Sequence, residues 1–116
     1  MKKINLIVAA ASIVLSAGAY AQDCVDTEPP AELADGATAT IEELGATQAE
    51  VKAYMAASNV FLECLEKQQS AAIESGTETE ETMAVRNEQY NAEVDQQTAI
   101  AADWKEQVGE YKARTQ

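Results

Sequence analysis

Residues 40–75 read TIEELGATQAEVKAYMAASNVFLECLEKQQSAAIES, and this stretch decides the fold. It holds no proline and a single glycine, Gly45. Apolar residues recur at steps of three and four through Ile41, Leu44, Val51, Met55, Leu62, Leu65 and Ala72, with polar Gln48, Ser58 and Gln69 in the remaining slots. That spacing lays one face of a helix against a core, whereas a strand would alternate every second residue. Thr40-Ile-Glu-Glu43 has capping-box spacing, a hydroxyl for a free amide and a carboxylate three residues on. Thr47-Gln-Ala-Glu50 repeats it, so a start at Gln48 is the alternative if Gly45 breaks the first turn. A glycine inside a helix costs only up to ~1 kcal/mol against alanine, and the expected helix spans about 41–75.

Downstream, Ser75-Gly76-Thr77 interrupts the run and Thr77-Glu-Thr-Glu80 is a further capping box. A second helix is expected from about Glu78 to Ala113. Its stripe is Met83, Asn87, Tyr90, Val94, Gln97, Ala101, Trp104, Val108 and Tyr111. Gly109 is its only breaker, and Lys105, Lys112 and Arg114 lie near its C-terminus, where the helix dipole favours cations. Two helices of ~35 residues are each ~52 Å long, and the short connection makes them antiparallel neighbours.

Upstream, Met1-Lys2-Lys3, an uncharged apolar run from Ile4 to Ala17 and Ala19-Tyr20-Ala21 have the three-part layout of a cleavable secretion signal over residues 1–21. The apolar run of ~14 residues is short for a membrane-spanning anchor, which needs ~20. Lipidation of Cys24 is disfavoured by the polar Gln22 and Asp23 before it. The expectation is a periplasmic or secreted protein with no membrane anchor once the signal is cut. Residues 22–39, with Pro29, Pro30 and Gly36, read as an extended arm.

The whole chain carries 8 basic and 20 acidic residues, net −12; removal of Lys2 and Lys3 makes this −14. Such a surface suits neither nucleic acid nor anionic membranes, which recruit lysine and arginine. It leaves a basic partner or a cation open. Two cysteines, Cys24 and Cys64, are expected to pair in an oxidising compartment. Closing a loop of ~40 residues contributes roughly 4 kcal/mol in the chain-entropy picture. Cys64 lies ~36 Å along the first helix, and the ~16 steps from Cys24 to Thr40 reach ~55 Å at most. The arm can therefore run back along that helix and cover the strip of Val60, Phe61 and Cys64. The architecture expected is all-α, an elongated antiparallel hairpin with an extended N-terminal arm pinned by a disulfide. Whether that arm or a second hairpin completes the thin core stays open.

The chemistry is mostly exclusion. There is no histidine, which removes the usual general base, the Ser-His and Cys-His nucleophiles and imidazole metal sites. No phosphate-cradling glycine motif occurs. No catalytic residue, cofactor or metal ligand is assigned, and no enzyme is expected. Glu74, Glu78, Glu80 and Glu81 crowd the hairpin turn without a Lys or Arg among them. They are read as a solvated turn, with a weak divalent-cation or small-ligand site as the alternative. Tyr54, Phe61, Tyr90, Trp104 and Tyr111 lie on or beside the stripes and are expected to pack in the core. Ile100, Trp104 and Val108 are the candidate partner surface, because large aromatics anchor interfaces.

Asp35-Gly-Ala-Thr-Ala-Thr40, Val51-Lys-Ala-Tyr54, Phe61-Leu-Glu-Cys-Leu-Glu66 and Tyr90-Asn-Ala-Glu-Val-Asp95 resemble a group of small uncharacterised exported proteins of Gram-negative bacteria. The resemblance covers most of the chain after the leader. It implies a periplasmic setting and a paired Cys64, and carries over no catalytic residue. The function expected is a structural or protein-interaction role, through an unknown protein partner or self-association.

Overall fold

The computed structural model describes residues 24–116. The expected signal, 1–21, and arm residues 22 and 23 lie outside the described residues. Those described form two helices, α1 (Ile41–Ser75) and α2 (Glu80–Thr115), and no strand. The helices pack on each other as an antiparallel hairpin, with Ser58 meeting Gln97 and Glu66 meeting Tyr90.

Helix α1 begins at the Thr40 box. Thr40 Oγ1 accepts the Glu43 amide at 3.1 Å, and the Glu43 carboxylate accepts the Thr40 amide at 2.8 Å. Two amides that have no partner within the helix are thereby satisfied. The helix runs through Gly45 and ends on Gly76, whose φ of 75° is left-handed and suits a residue without Cβ. The amides of Thr77 and Glu78 reach back to the Ala72 carbonyl at 2.9 and 3.2 Å.

This ending corrects the expected start of the second helix. Thr77 is spent closing α1, so the next hydroxyl along, Thr79, caps α2. Thr79 Oγ1 accepts the Thr82 amide at 3.0 Å, and Thr82 Oγ1 accepts the Thr79 amide at 2.9 Å. The cap box thus ends in threonine rather than glutamate. At the other end Gly109 does not interrupt the helix, which continues to Thr115.

The buried face of α1 is Leu44, Thr47, Val51, Tyr54, Ser58, Phe61, Leu62 and Leu65. It shares Leu44, Val51, Leu62 and Leu65 with the expected stripe but takes Thr47 and Tyr54 in place of Gln48 and Met55. Ile41, expected in the core, is 59% exposed. The face is rotated because α1 has two neighbours, α2 on one side and the arm on the other. Cys24 is bonded to Cys64, with the Cα atoms 5.6 Å apart. From there the arm runs back along α1: the Ala34 amide donates to Thr47 Oγ1 at 3.2 Å. Of the strip that the arm was expected to cover, Phe61 is buried and Cys64 half-buried, but Val60 stays exposed.

Residues 34–39 clamp the arm to the far end of α2. Asp35 closes a turn, its carbonyl accepting the Thr38 and Ala39 amides at 3.0 and 2.7 Å. Gly36 donates to Gln107 Oε1 at 2.8 Å. A Cβ on Gly36 would stand 1.8 Å from the Gln107 carbonyl oxygen, so only glycine permits this approach. Arg114 donates to the Gly36 carbonyl at 2.8 Å and to that of Ala39, while its guanidinium lies over the Tyr111 ring. The arm therefore supplies a third layer along the hairpin from its open end as far as Cys64.

Candidate functional site

The polar centre of the molecule is Glu93. It is the one buried residue of α2, at 4% exposure. One carboxylate oxygen, Oε2, accepts three hydroxyls from the other two layers: Thr27 of the arm at 3.2 Å, Tyr54 of α1 at 3.1 Å, and Ser58 of α1 in a short contact. Gln97 extends the network, its amide donating to Ser58 Oγ at 2.8 Å and to Asn59 Oδ1 at 2.9 Å. Tyr54 Oη also lies 3.0 Å from the Gln96 side-chain amide. The phenol has one proton to give. That proton is shared between Glu93 Oε2 and Gln96 Oε1, both within hydrogen-bond distance.

A buried carboxylate is costly unless hydrogen bonds replace its hydration. Here neutral hydroxyls do so, and among the described residues no cationic side chain is bonded to it. Burial, together with the hydrogen bond to Glu93, holds the Tyr54 phenol above its ordinary value. Ser58 is fully buried and flanked by two partners, so it is held as a bridge between helices rather than presented as a nucleophile. A shallow hollow beside the network is lined by Cys24, Asp26, Phe61, Gln89, Glu93 and Gln96.

Sequence reasoning placed Ser58 and Gln97 on the stripes but missed Glu93. A usable signal existed. In an antiparallel hairpin turning near residue 77, Ser58 must face Gln97, and an acid one helical turn before Gln97 then shares that face. Glu93 sits one position from Val94 of the expected stripe.

At the hairpin turn the acidic residues do not gather as a donor set. Glu78 is drawn to Arg86 at 2.6 Å and accepts Thr82 Oγ1 at 2.5 Å. No Lys or Arg lies among these acids in sequence, but helix periodicity brings Arg86 back to Glu78 from two turns along α2. The hydrogen bonds from Arg86 and then Thr82 hold the Glu78 carboxyl below its usual range. Glu74, Glu80 and Glu81 remain exposed. Among the described residues no group of three or more potential metal-ligating side chains of the His, Cys, Asp or Glu type is found.

Ile100, Trp104 and Val108 are each half-buried, as are Tyr90 and Tyr111. Tyr54 and Phe61 alone of the expected core aromatics are fully buried. Among the described residues, no helix is long and apolar enough to cross a membrane.

Comparison with known proteins found no matching family model, no similar curated protein and no similar solved structure.

Proposed function

We propose that the chain is an exported, periplasmic helical protein without catalytic activity, and that its role is to bind a protein partner or a second copy through α2. The observation that carries this reading is the burial along α2. One residue of its 36 is buried, while Ile100, Trp104 and Val108 keep part of their apolar surface in water. A helix that packs on one neighbour and an arm, yet retains a half-open tryptophan, has apolar area left for an interface. The acid excess favours a basic partner surface and speeds encounter with it. The Cys24–Cys64 bond suits an oxidising compartment, in keeping with the leader-like residues 1–21.

The test is a photo-crosslinking residue in place of Trp104, irradiated in periplasm and analysed by mass spectrometry beside the native mass of the purified protein. The expected result is one recurrent adduct through position 104, to a single partner or to a second copy. A strictly monomeric mass with no adduct would count against the reading.

A further inference from the structure

The arm is attached in two very unequal halves, and this carries an inference that does not depend on which partner α2 binds. Residues 34–39 hold on by several means: the Ala34 amide on Thr47, the Gly36 amide on Gln107, and Arg114 on the carbonyls of Gly36 and Ala39. Gly36 and Ala39 are also buried. Residues 24–33 contain no buried residue at all. Val25 is 79% exposed, and Thr27 makes this segment's one hydrogen bond to a helix, to Glu93. Beyond that contact and partial packing of Thr27, Pro29, Pro30 and Leu33, the Cys24–Cys64 bond is what keeps the segment down.

We propose that residues 24–33 are a redox-latched strap: opening the disulfide frees this segment alone and uncovers Tyr54, Phe61 and Glu93, while the 34–39 clamp and the helical hairpin stay in place. The reaction is thiol–disulfide exchange with a dithiol reductant. A reductant thiolate attacks one sulfur of the pair and displaces the other; its second thiolate then breaks the mixed disulfide. Two electrons and two protons pass from the dithiol to Cys24 and Cys64, and the reductant leaves as its own disulfide. Cys24 is half-buried and lines the open hollow beside Glu93, so the attacking sulfur has a way in. Once the bond is open, a ten-residue segment held by one hydroxyl contact and the partial packing of four residues gains more conformational freedom than these offset.

The test compares oxidised protein, dithiol-reduced protein and a Cys24→Ser/Cys64→Ser variant by backbone amide relaxation and far-ultraviolet circular dichroism. Pro29 and Pro30 have no amide, so the probes are residues 25–28 and 31–33. Order parameters there are expected to fall from values near ~0.85 to below ~0.6 on reduction, with helices and residues 36–39 unchanged. The serine variant should match the reduced form. Order parameters that stay high in both reduced and serine forms would overturn the proposal, since the strap would then hold without its latch. Loss of helical signal on reduction would overturn it as well, since the bond would then secure the whole fold rather than the strap.

Discussion

Glu93 organises the centre of the protein by what it accepts rather than by its charge. Three hydroxyls converge on it, and among the described residues no cationic side chain is bonded to it. An isosteric amide keeps the acceptor, so Glu93→Gln is expected to cost at most ~1 kcal/mol of stability. Glu93→Ala leaves Thr27, Tyr54 and Ser58 short of an acceptor and opens a void, for roughly 2–4 kcal/mol. Urea unfolding of both variants checks this; equal losses would mean that charge, not geometry, is what the site uses. The Tyr54 phenol gives a second residue-scale prediction. Its folded pKa is raised, so the native state holds that proton more tightly than the unfolded chain. The corresponding stability is intact below the ordinary phenol value near ~10 and is lost as pH rises above it. Tyr54→Phe should be less stable by about 1–2 kcal/mol at neutral pH, and its stability should fall less steeply above pH ~10. A variant whose alkaline loss matches the parent would remove Tyr54 from the account. Glu93 shows why sequence reading fell short here. A single acid on an apolar face is discounted unless the hydroxyls of two other elements are known to meet it, and one of these comes from the arm.

At the scale of elements, most of the fold was legible. The Thr40 box and the Gly76 stop mark the ends of α1 because capping is local chemistry, written within four residues of each terminus. The buried face was less legible. Steps of three and four admit either Gln48 and Met55 or Thr47 and Tyr54, and the choice was made by the arm, a contact far away in sequence. The start of α2 was misplaced because Thr77 and Thr79 offer the same hydroxyl, and only the closing turn of α1 decides between them. The glycines sort by the same reasoning. A Cβ at Gly45 or Gly109 meets no atom within 4 Å, so Gly45→Ala and Gly109→Ala should each stabilise the protein by ~0.5–1 kcal/mol. Gly36→Ala drives a methyl into the Gln107 carbonyl and should cost ~1–3 kcal/mol while loosening the clamp. Thermal unfolding of the three variants should rank Gly36→Ala below the parent and the other two above it.

As a whole molecule, the protein is a hairpin with three layers from its open end as far as Cys64 and two layers from there to the turn. Among the described residues, every fully buried side chain lies between Leu44 and Leu65 on α1, at Glu93 on α2, or at Ala39, none of them in the last ten residues of α1 before the turn. The distal turn, with Ile73 and Val85 more than half exposed, adds length without adding core. The sequence left open whether the arm or a second hairpin completes the core; from the open end to Cys64 the arm does so, tied by a covalent bond at one end and a glycine contact at the other. The most direct test is a nuclear Overhauser map of the oxidised protein. The arrangement predicts cross-peaks linking Thr27 to Tyr54 and Glu93, and the Gly36 amide to Gln107. A helical, disulfide-bonded protein that shows neither set would contradict it.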